Sequence, residues 1–131
     1  MYQLNFDERA GLLEITLSGF WTVETVRSFH RDYLEMISRY RLSYPSFPTL
    51  SDSRELAVLS REASQAFIEG SREAAELHSG RVAVVFGSHL AKMQADRRAQ
   101  ELAASGVDRS KQGYFTDMDL ARRWALEGVG T

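Results

Sequence analysis

Residues 82–86 constrain the fold more than any other part of the chain. They read Val-Ala-Val-Val-Phe, so both faces of this short stretch are apolar. A strand that is apolar on both faces needs cover on both sides, which is typical of a central strand in a parallel sheet. Amphipathic patterns with helical spacing precede and follow it. The chain is therefore predicted to fold as an α/β domain.

Strand and helix patterns alternate along the chain. Tyr2, Leu4 and Phe6 alternate with polar residues, and a second alternating stretch after a polar turn completes a predicted hairpin. A third strand is predicted over residues 47–52 and a last one over residues 114–115. The order is β-β-α-β-α-β-α-β-α, which favours a mostly parallel sheet with helices packed on it. No linker or repeat divides the chain, so all 131 residues are predicted to form one domain.

Two helix starts are marked by hydroxyl side chains. The first helix is predicted to begin after Thr22 and the second after Ser60, because each hydroxyl can accept a hydrogen bond from a free backbone N–H. Gly70 lies inside the second helix, where glycine costs about 1 kcal/mol relative to alanine. We therefore expect a neighbouring group to approach the backbone closely at Gly70.

The composition argues against several classes of protein. The net charge is -2 and basic residues form no long run, which argues against a nucleic-acid partner. The sequence contains no cysteine, which excludes disulfides, thiolate nucleophiles and cysteine-ligated metals. It shows neither a signal-peptide pattern nor an apolar run of the ~20 residues that a spanning helix needs. We therefore expect a cytoplasmic protein with no membrane span.

No catalytic motif is recognisable. A single glycine, Gly87, lies between a predicted strand and helix, without the spacing of a nucleotide-binding loop, and no Gly-x-Ser-x-Gly elbow is present. His30, His78 and His89 lie on different predicted elements without metal-ligand spacing, and we expect them at the surface or half-buried. The sequence therefore predicts a protein that is not an enzyme and that holds no metal or cofactor.

The loops that leave the carboxyl ends of the strands are the most informative positions. In a parallel sheet these loops meet at one edge, where ligands commonly bind near helix N-termini. Two residues of the third helix lie near enough in sequence to reach the same edge. The predicted binding residues are Trp21, Ser51, Asp52, Ser53, Arg54, Ser88, Gln94 and Arg97. The alternative is that the polar side chains in these loops only cap helices.

Four short segments carry a resemblance to a known family. They are Gly-Phe-Trp-Thr at residues 19–22, Leu-Ser-Asp-Ser at 50–53, Met-Gln-Ala-Asp-Arg at 93–97, and the spaced Phe115, Ala121 and Trp124. Together with the order of elements, they make the chain similar to small stand-alone bacterial proteins of the STAS/SEC14 type. These share the fold of the SpoIIAA-like anti-sigma-factor antagonists.

The resemblance implies a non-enzymatic protein. Antagonists of this family bind a partner kinase and are switched by phosphorylation of a serine that directly follows an aspartate, a position that Ser53 matches. The chain departs from the family pattern after that serine, because Arg54 and Glu55 follow where the family has Ser-Gly. Lipid-binding modules of similar fold are much larger, so no deep lipid pocket is expected in a chain of this length.

Two functions are compatible with these observations. The first is a regulatory module that binds a protein partner, a kinase or another regulator, through the segment around Asp52. The second is a sensor that binds a small anion or metabolite at the same edge, through Ser51, Asp52, Ser88, Gln94 and Arg97. A homo-oligomer is also compatible with the sequence, since the aromatic residues around Pro45 form an apolar patch if they are exposed.

Overall fold

The computed structural model describes residues 1–78, 80–104, 106 and 108–127. Within these residues the strands are Tyr2–Asp7 (β1), Leu12–Gly19 (β2), Thr49–Leu56 (β3), Val82–Phe86 (β4) and Gln112–Phe115 (β5). The helices are Val23–Tyr40 (α1), Arg61–Leu77 (α2), His89–Ala104 (α3) and Met118–Glu127 (α4), and a 3-10 turn covers Arg109–Lys111. The predicted fold class and order of elements are confirmed.

The described strands form one sheet in the order β1-β2-β3-β4-β5. β1 pairs antiparallel with β2, and each of the other neighbouring pairs is parallel. Parallel strands need a crossover, and here each crossover contains one helix. α1 packs against α2, and α2 packs against α3, on one face of the sheet. α4 packs on the opposite face, against β3, β4 and β5.

Apolar side chains join the sheet to the helices on both faces. On the α1–α3 face, the inward side chains of β2 pack with Trp21 and Phe29. On the other face, Leu50 and Val85 pack with Ala121 of α4. β4 lies between the two layers and is covered on both sides, as predicted. None of the described helices is long and apolar enough to cross a membrane.

The prediction for the third strand was wrong at both ends. β3 begins at Thr49 and continues to Leu56, so Ser51–Arg54 lie inside the strand instead of in a loop after it. The polar segment stays extended because β2 and β4 flank it. Pairing with β4 continues to Ser53, level with Phe86, and pairing with β2 resumes at Glu55 after a register shift and ends with Leu56 level with Gly19. Pairing on both sides satisfies the backbone, which outweighs the low strand propensity of the polar residues.

The predicted helix starts and the close approach at Gly70 are confirmed. The Thr22 hydroxyl accepts a hydrogen bond from the Thr25 N–H, and the Ser60 hydroxyl accepts one from the Ala63 N–H. The backbone at Gly70 lies directly against the ring of His30, so a Cβ at this position would overlap the ring. Glycine is therefore required where α2 crosses α1.

We expect Gly70→Ala to destabilise the protein by up to about 2 kcal/mol. Overpacking against a buried ring costs about 1–3 kcal/mol, which exceeds the ~1 kcal/mol that alanine contributes through helix propensity. Urea unfolding measures the difference. The exposed change Glu73→Ala in the same helix is the control and should alter stability by no more than about 0.5 kcal/mol. In a His30→Ala background the cost should disappear; a stabilised Gly70→Ala protein would contradict the steric argument.

Candidate ligand site

A cavity of about 340 Å³ lies between the sheet and helices α1–α3. Strands β2 to β5 contribute its floor and the three helices its roof. The space remains because the helices turn small side chains inward: Ala95 of α3 and Ala74 of α2 are buried at its wall. Asp108 and Lys111 are exposed residues of the lining, so the cavity reaches the surface near the start of β5. From the sequence, no deep lipid pocket was expected in a chain of this length.

Three hydroxyl side chains of β3 project into the cavity. Thr49, Ser51 and Ser53 occupy alternate positions, so the strand presents all three to the same face. Their residues are 0%, 7% and 5% exposed. The Thr49 hydroxyl has no hydrogen-bond partner among the described residues. A buried hydroxyl without a partner costs about 1–3 kcal/mol, which a water molecule or a ligand atom would relieve.

A buried tyrosine lies on the opposite wall. Burial raises the pKa of Tyr33 to about 12. The Thr49 hydroxyl, which lies close to Tyr33 across the cavity, lowers the pKa of Tyr33. The two hydroxyls are nevertheless not in hydrogen-bond geometry. Tyr33 is therefore a neutral hydrogen-bond donor or acceptor at physiological pH.

Two histidines line the cavity in the neutral form. His30 and His78 are 6% and 8% exposed, so the expectation that they lie at the surface or half-buried was wrong; His89 is exposed. Burial lowers the pKa of His30 to about 4, and burial also lowers the pKa of His78. His30 Nδ1–H donates to the carbonyl of Val26 at 3.1 Å, and His78 Nε2–H donates to the carbonyl of Phe47. These bonds leave the other ring nitrogen of each histidine as an acceptor.

Arg98 is a charged side chain in the lining of the cavity. It lies on α3 beside the buried Ala95 and Ala99, so its position belongs to the inward stripe of the helix. Burial lowers the pKa of its guanidinium, whereas Tyr114 and Glu101 raise it by attraction. None of the described carboxylates forms an ion pair with it.

The structure divides the predicted binding residues between different places. Ser51 and Ser53 line the cavity, but Asp52 and Arg54 alternate with them and lie on the other face of β3. There Arg54 Nε and Nη2 donate to the two carboxylate oxygens of Asp52 at 2.9 and 2.8 Å. Arg54 lowers the pKa of Asp52, so this carboxylate already has a cationic partner.

The remaining predicted residues do not line the cavity. Trp21 is 2% exposed, packs in the core and donates from its indole to the Ser18 carbonyl at 2.9 Å. Ser88 caps α3 by accepting a hydrogen bond from the Ala91 N–H at 3.2 Å. Gln94 and Arg97 lie on α3 away from the lining, half-buried and exposed respectively. Helix capping, the alternative considered for the polar loop residues, is what the structure shows at Ser88.

The cavity residues that were missed carried a weak signal in the sequence. Thr49, Ser51 and Ser53 are polar at every second position beside an apolar central strand, a pattern that indicates one polar buried face. Arg98 falls on the inward stripe of α3, which otherwise holds alanine and leucine. Among the described residues, no group of three or more metal-binding side chains lies together.

Neither the comparison with protein-family models nor the search of curated proteins finds a match to this chain. The similarity to STAS/SEC14-type proteins therefore stays a prediction. The inferences about function rest on the cavity itself.

We expect the stability of the protein to fall as the pH is lowered through the range between the two pKa values of His30. The unfolded chain binds a proton near pH 6.5 and the folded protein near pH 4, so the full stability is present above 6.5 and is lost toward 4, by up to about 3 kcal/mol. His78 contributes in the same direction.

Urea unfolding between about pH 7.5 and pH 5 measures this dependence. The variant His30→Gln keeps a donor for the Val26 carbonyl but cannot titrate, so its stability should vary less steeply with pH. Equal slopes for the variant and the wild-type protein would contradict the assignment to His30.

Proposed function

We propose that this protein binds a small, mostly apolar molecule in the cavity between the sheet and helices α1–α3. The observation that supports the proposal is the cavity's volume of about 340 Å³. Native interiors leave few voids larger than a water molecule, whereas ligand pockets measure about 300–1,000 Å³. The chain leaves unfilled a space of the size that ligand-binding proteins reserve for small molecules.

The lining has the composition of a ligand pocket. Phe29, Phe67, Ile68 and Val84 are among its apolar walls, and a few polar groups converge on the same space. Pockets of this kind gain affinity from apolar contact and orient the ligand through a small number of hydrogen bonds. The hydroxyl side chains of β3 supply such hydrogen bonds, as does Tyr33.

This proposal keeps the small-ligand alternative considered from the sequence and moves its site. The site lies inside the α/β layers, and only Ser51 and Ser53 of the predicted binding residues belong to it. Ser53 is 5% exposed, so a kinase could reach its hydroxyl only if the cavity opened. A phosphorylation switch at Ser53 is therefore not part of the proposal.

A substitution that fills the cavity with a larger apolar side chain tests the proposal. Ala95→Leu adds apolar volume at the cavity wall, and Ala91→Leu adds the same volume on α3 away from the lining. The neutral fluorescent dye N-phenyl-1-naphthylamine serves as the probe. We expect the dye to bind the wild-type protein and Ala91→Leu with similar affinity, and to bind Ala95→Leu at least about tenfold more weakly.

Thermal unfolding without the dye shows that the variant remains folded. Filling a void is expected to leave the Tm of Ala95→Leu equal to that of the wild-type protein or above it. If the dye does not bind the wild-type protein, or if it binds Ala95→Leu equally well, the proposed function is wrong.

A second candidate function is the binding of a regulatory protein partner at the edge where the strands end. Exposed apolar side chains follow the carboxyl ends of three neighbouring parallel strands: Phe20 after β2, Val58 after β3, and Leu90 and Met93 after β4. Their exposed fractions range from 59% to 75%. Apolar side chains gathered at one edge are typical of protein interaction sites.

Site-specific photo-crosslinking in cells tests this second candidate. A benzophenone side chain in place of Phe20 should form a discrete adduct with one protein, and that adduct should weaken when Met93 is changed to Ser. The same group in place of the exposed Thr16, on another part of the sheet, is the control. Identical adducts from both positions, or none from position 20, would rule out a partner at this edge.

A further inference from the structure

We propose that the ligand of the cavity is an amphipathic carboxylate, whose carboxylate group binds Arg98 and whose apolar chain extends across the sheet toward α1. This inference rests on the proposed function and adds the chemical class of the ligand. It is carried by Arg98, a half-buried arginine of the lining that forms no close ion pair with a described carboxylate, together with the arrangement of side chains on the cavity floor.

Arg98 is a cation in a mostly apolar wall. It shares its helix face with Ala95 and Ala99, and none of the described carboxylates forms an ion pair with it. Arg98 is half-buried, and a charge that is partly withdrawn from water without a close partner is unfavourable. A carboxylate in the cavity would supply a partner at hydrogen-bond distance, closer than the attraction that Glu101 provides.

The other two charged groups of the lining, Lys111 and Asp108, are exposed and have opposite signs. Asp108 accepts hydrogen bonds from the Ser110 hydroxyl and backbone N–H, at 2.7 and 2.9 Å. These bonds are the main reason that the pKa of this carboxyl group is lowered, and the attraction of Lys111 lowers it further. With His30 and His78 neutral, the charged side chains of the described lining are Arg98, Lys111 and Asp108, which leaves one positive charge in excess. Glu101, which attracts Arg98, is exposed and lies outside the lining. That excess matches a monoanion, and the planar fork of a guanidinium matches the two oxygens of a carboxylate.

The register of the strands gives the direction of the ligand. Ile15, Ser51, Val84 and Tyr114 are paired in one row across β2, β3, β4 and β5, and all four line the cavity. Three strand spacings of about 4.8 Å make this row roughly 14 Å long. Arg98 lies at its β5 end, close enough to Tyr114 for the phenol to raise the guanidinium pKa.

The opposite end of this row is mostly apolar and uncharged, since His30, which packs against Phe29 and Phe67 there, is neutral. Ile15 lies there under α1, where Phe29 and Phe67 form the wall. The two aromatic rings stack with their centroids 6.0 Å apart. A molecule with a charged group at one end and a hydrocarbon chain at the other fits this gradient in one orientation only.

A matched pair of ligands tests the assignment. The protein is loaded with N-phenyl-1-naphthylamine at about pH 8, where a carboxylic acid is ionised. Decanoate and decanol, which share the same chain, then displace the dye in separate titrations. We expect decanoate to bind the wild-type protein at least about tenfold more tightly than decanol, because only decanoate pairs with the guanidinium.

Variants test the charge of Arg98 separately from the volume of its side chain. Arg98→Met keeps most of the side-chain volume and removes the charge, so decanoate should bind at least about tenfold more weakly while decanol and the dye change less than about twofold. Arg97→Met removes a positive charge from the exposed side of the same helix, away from the lining, and should leave decanoate binding within about twofold. Arg98→Lys keeps the charge and should retain part of the preference for decanoate.

Each result distinguishes this inference from the function on which it rests. If the dye binds and decanoate and decanol are equivalent in the wild-type protein, the ligand class is wrong and the binding function stands. If the dye does not bind the wild-type protein, both are wrong. If Arg98→Met loses dye binding through misfolding, Arg98→Lys decides: a folded Arg98→Lys protein without any preference for decanoate overturns the role of residue 98.

Discussion

The pairing of β3 with parallel strands on both sides is the constraint on which the rest of the structure depends. Its backbone is satisfied by β2 and β4, so the strand remains extended through a polar segment. Strand alternation then sends Ser51 and Ser53 to one face and Asp52 and Arg54 to the other. One backbone conformation thus separates the buried hydroxyls, which face the cavity, from a surface ion pair.

Three features of the cavity would not be expected in a protein selected for stability alone. Small side chains such as Ala95 leave a void, Thr49 has a buried hydroxyl without a described partner, and Arg98 forms no close ion pair with a described carboxylate. Each reduces stability when the cavity is empty. All three face the same space, and departures from good packing and pairing that converge in this way are characteristic of functional sites. A bound amphipathic anion would relieve all three together.

Much of the fold could be predicted because its signals are local. The apolar period of each helix, the hydroxyls of Thr22 and Ser60, and the two apolar faces of β4 are each contained in a short segment. Even the close contact at Gly70 was indicated by the residue type alone. The candidate ligand site was predicted less well, because helix capping and ligand binding use the same types of residue at strand ends. Ser88 caps α3, and Trp21 lies in the core.

The sequence by itself determined the fold class, the order of elements and most of the inward-facing side chains, since these follow from periodicity along the chain. The tertiary structure alone decided where polar groups meet. His30 and Arg98 belong to α1 and α3, and His78 directly follows α2; these three helices lie side by side, and no local pattern in the sequence predicts that neighbourhood. Whether a polar residue is solvated or buried depends on what packs over it, and what packs over β3 is far away in sequence. For that reason the predicted edge site and the observed cavity share only Ser51 and Ser53.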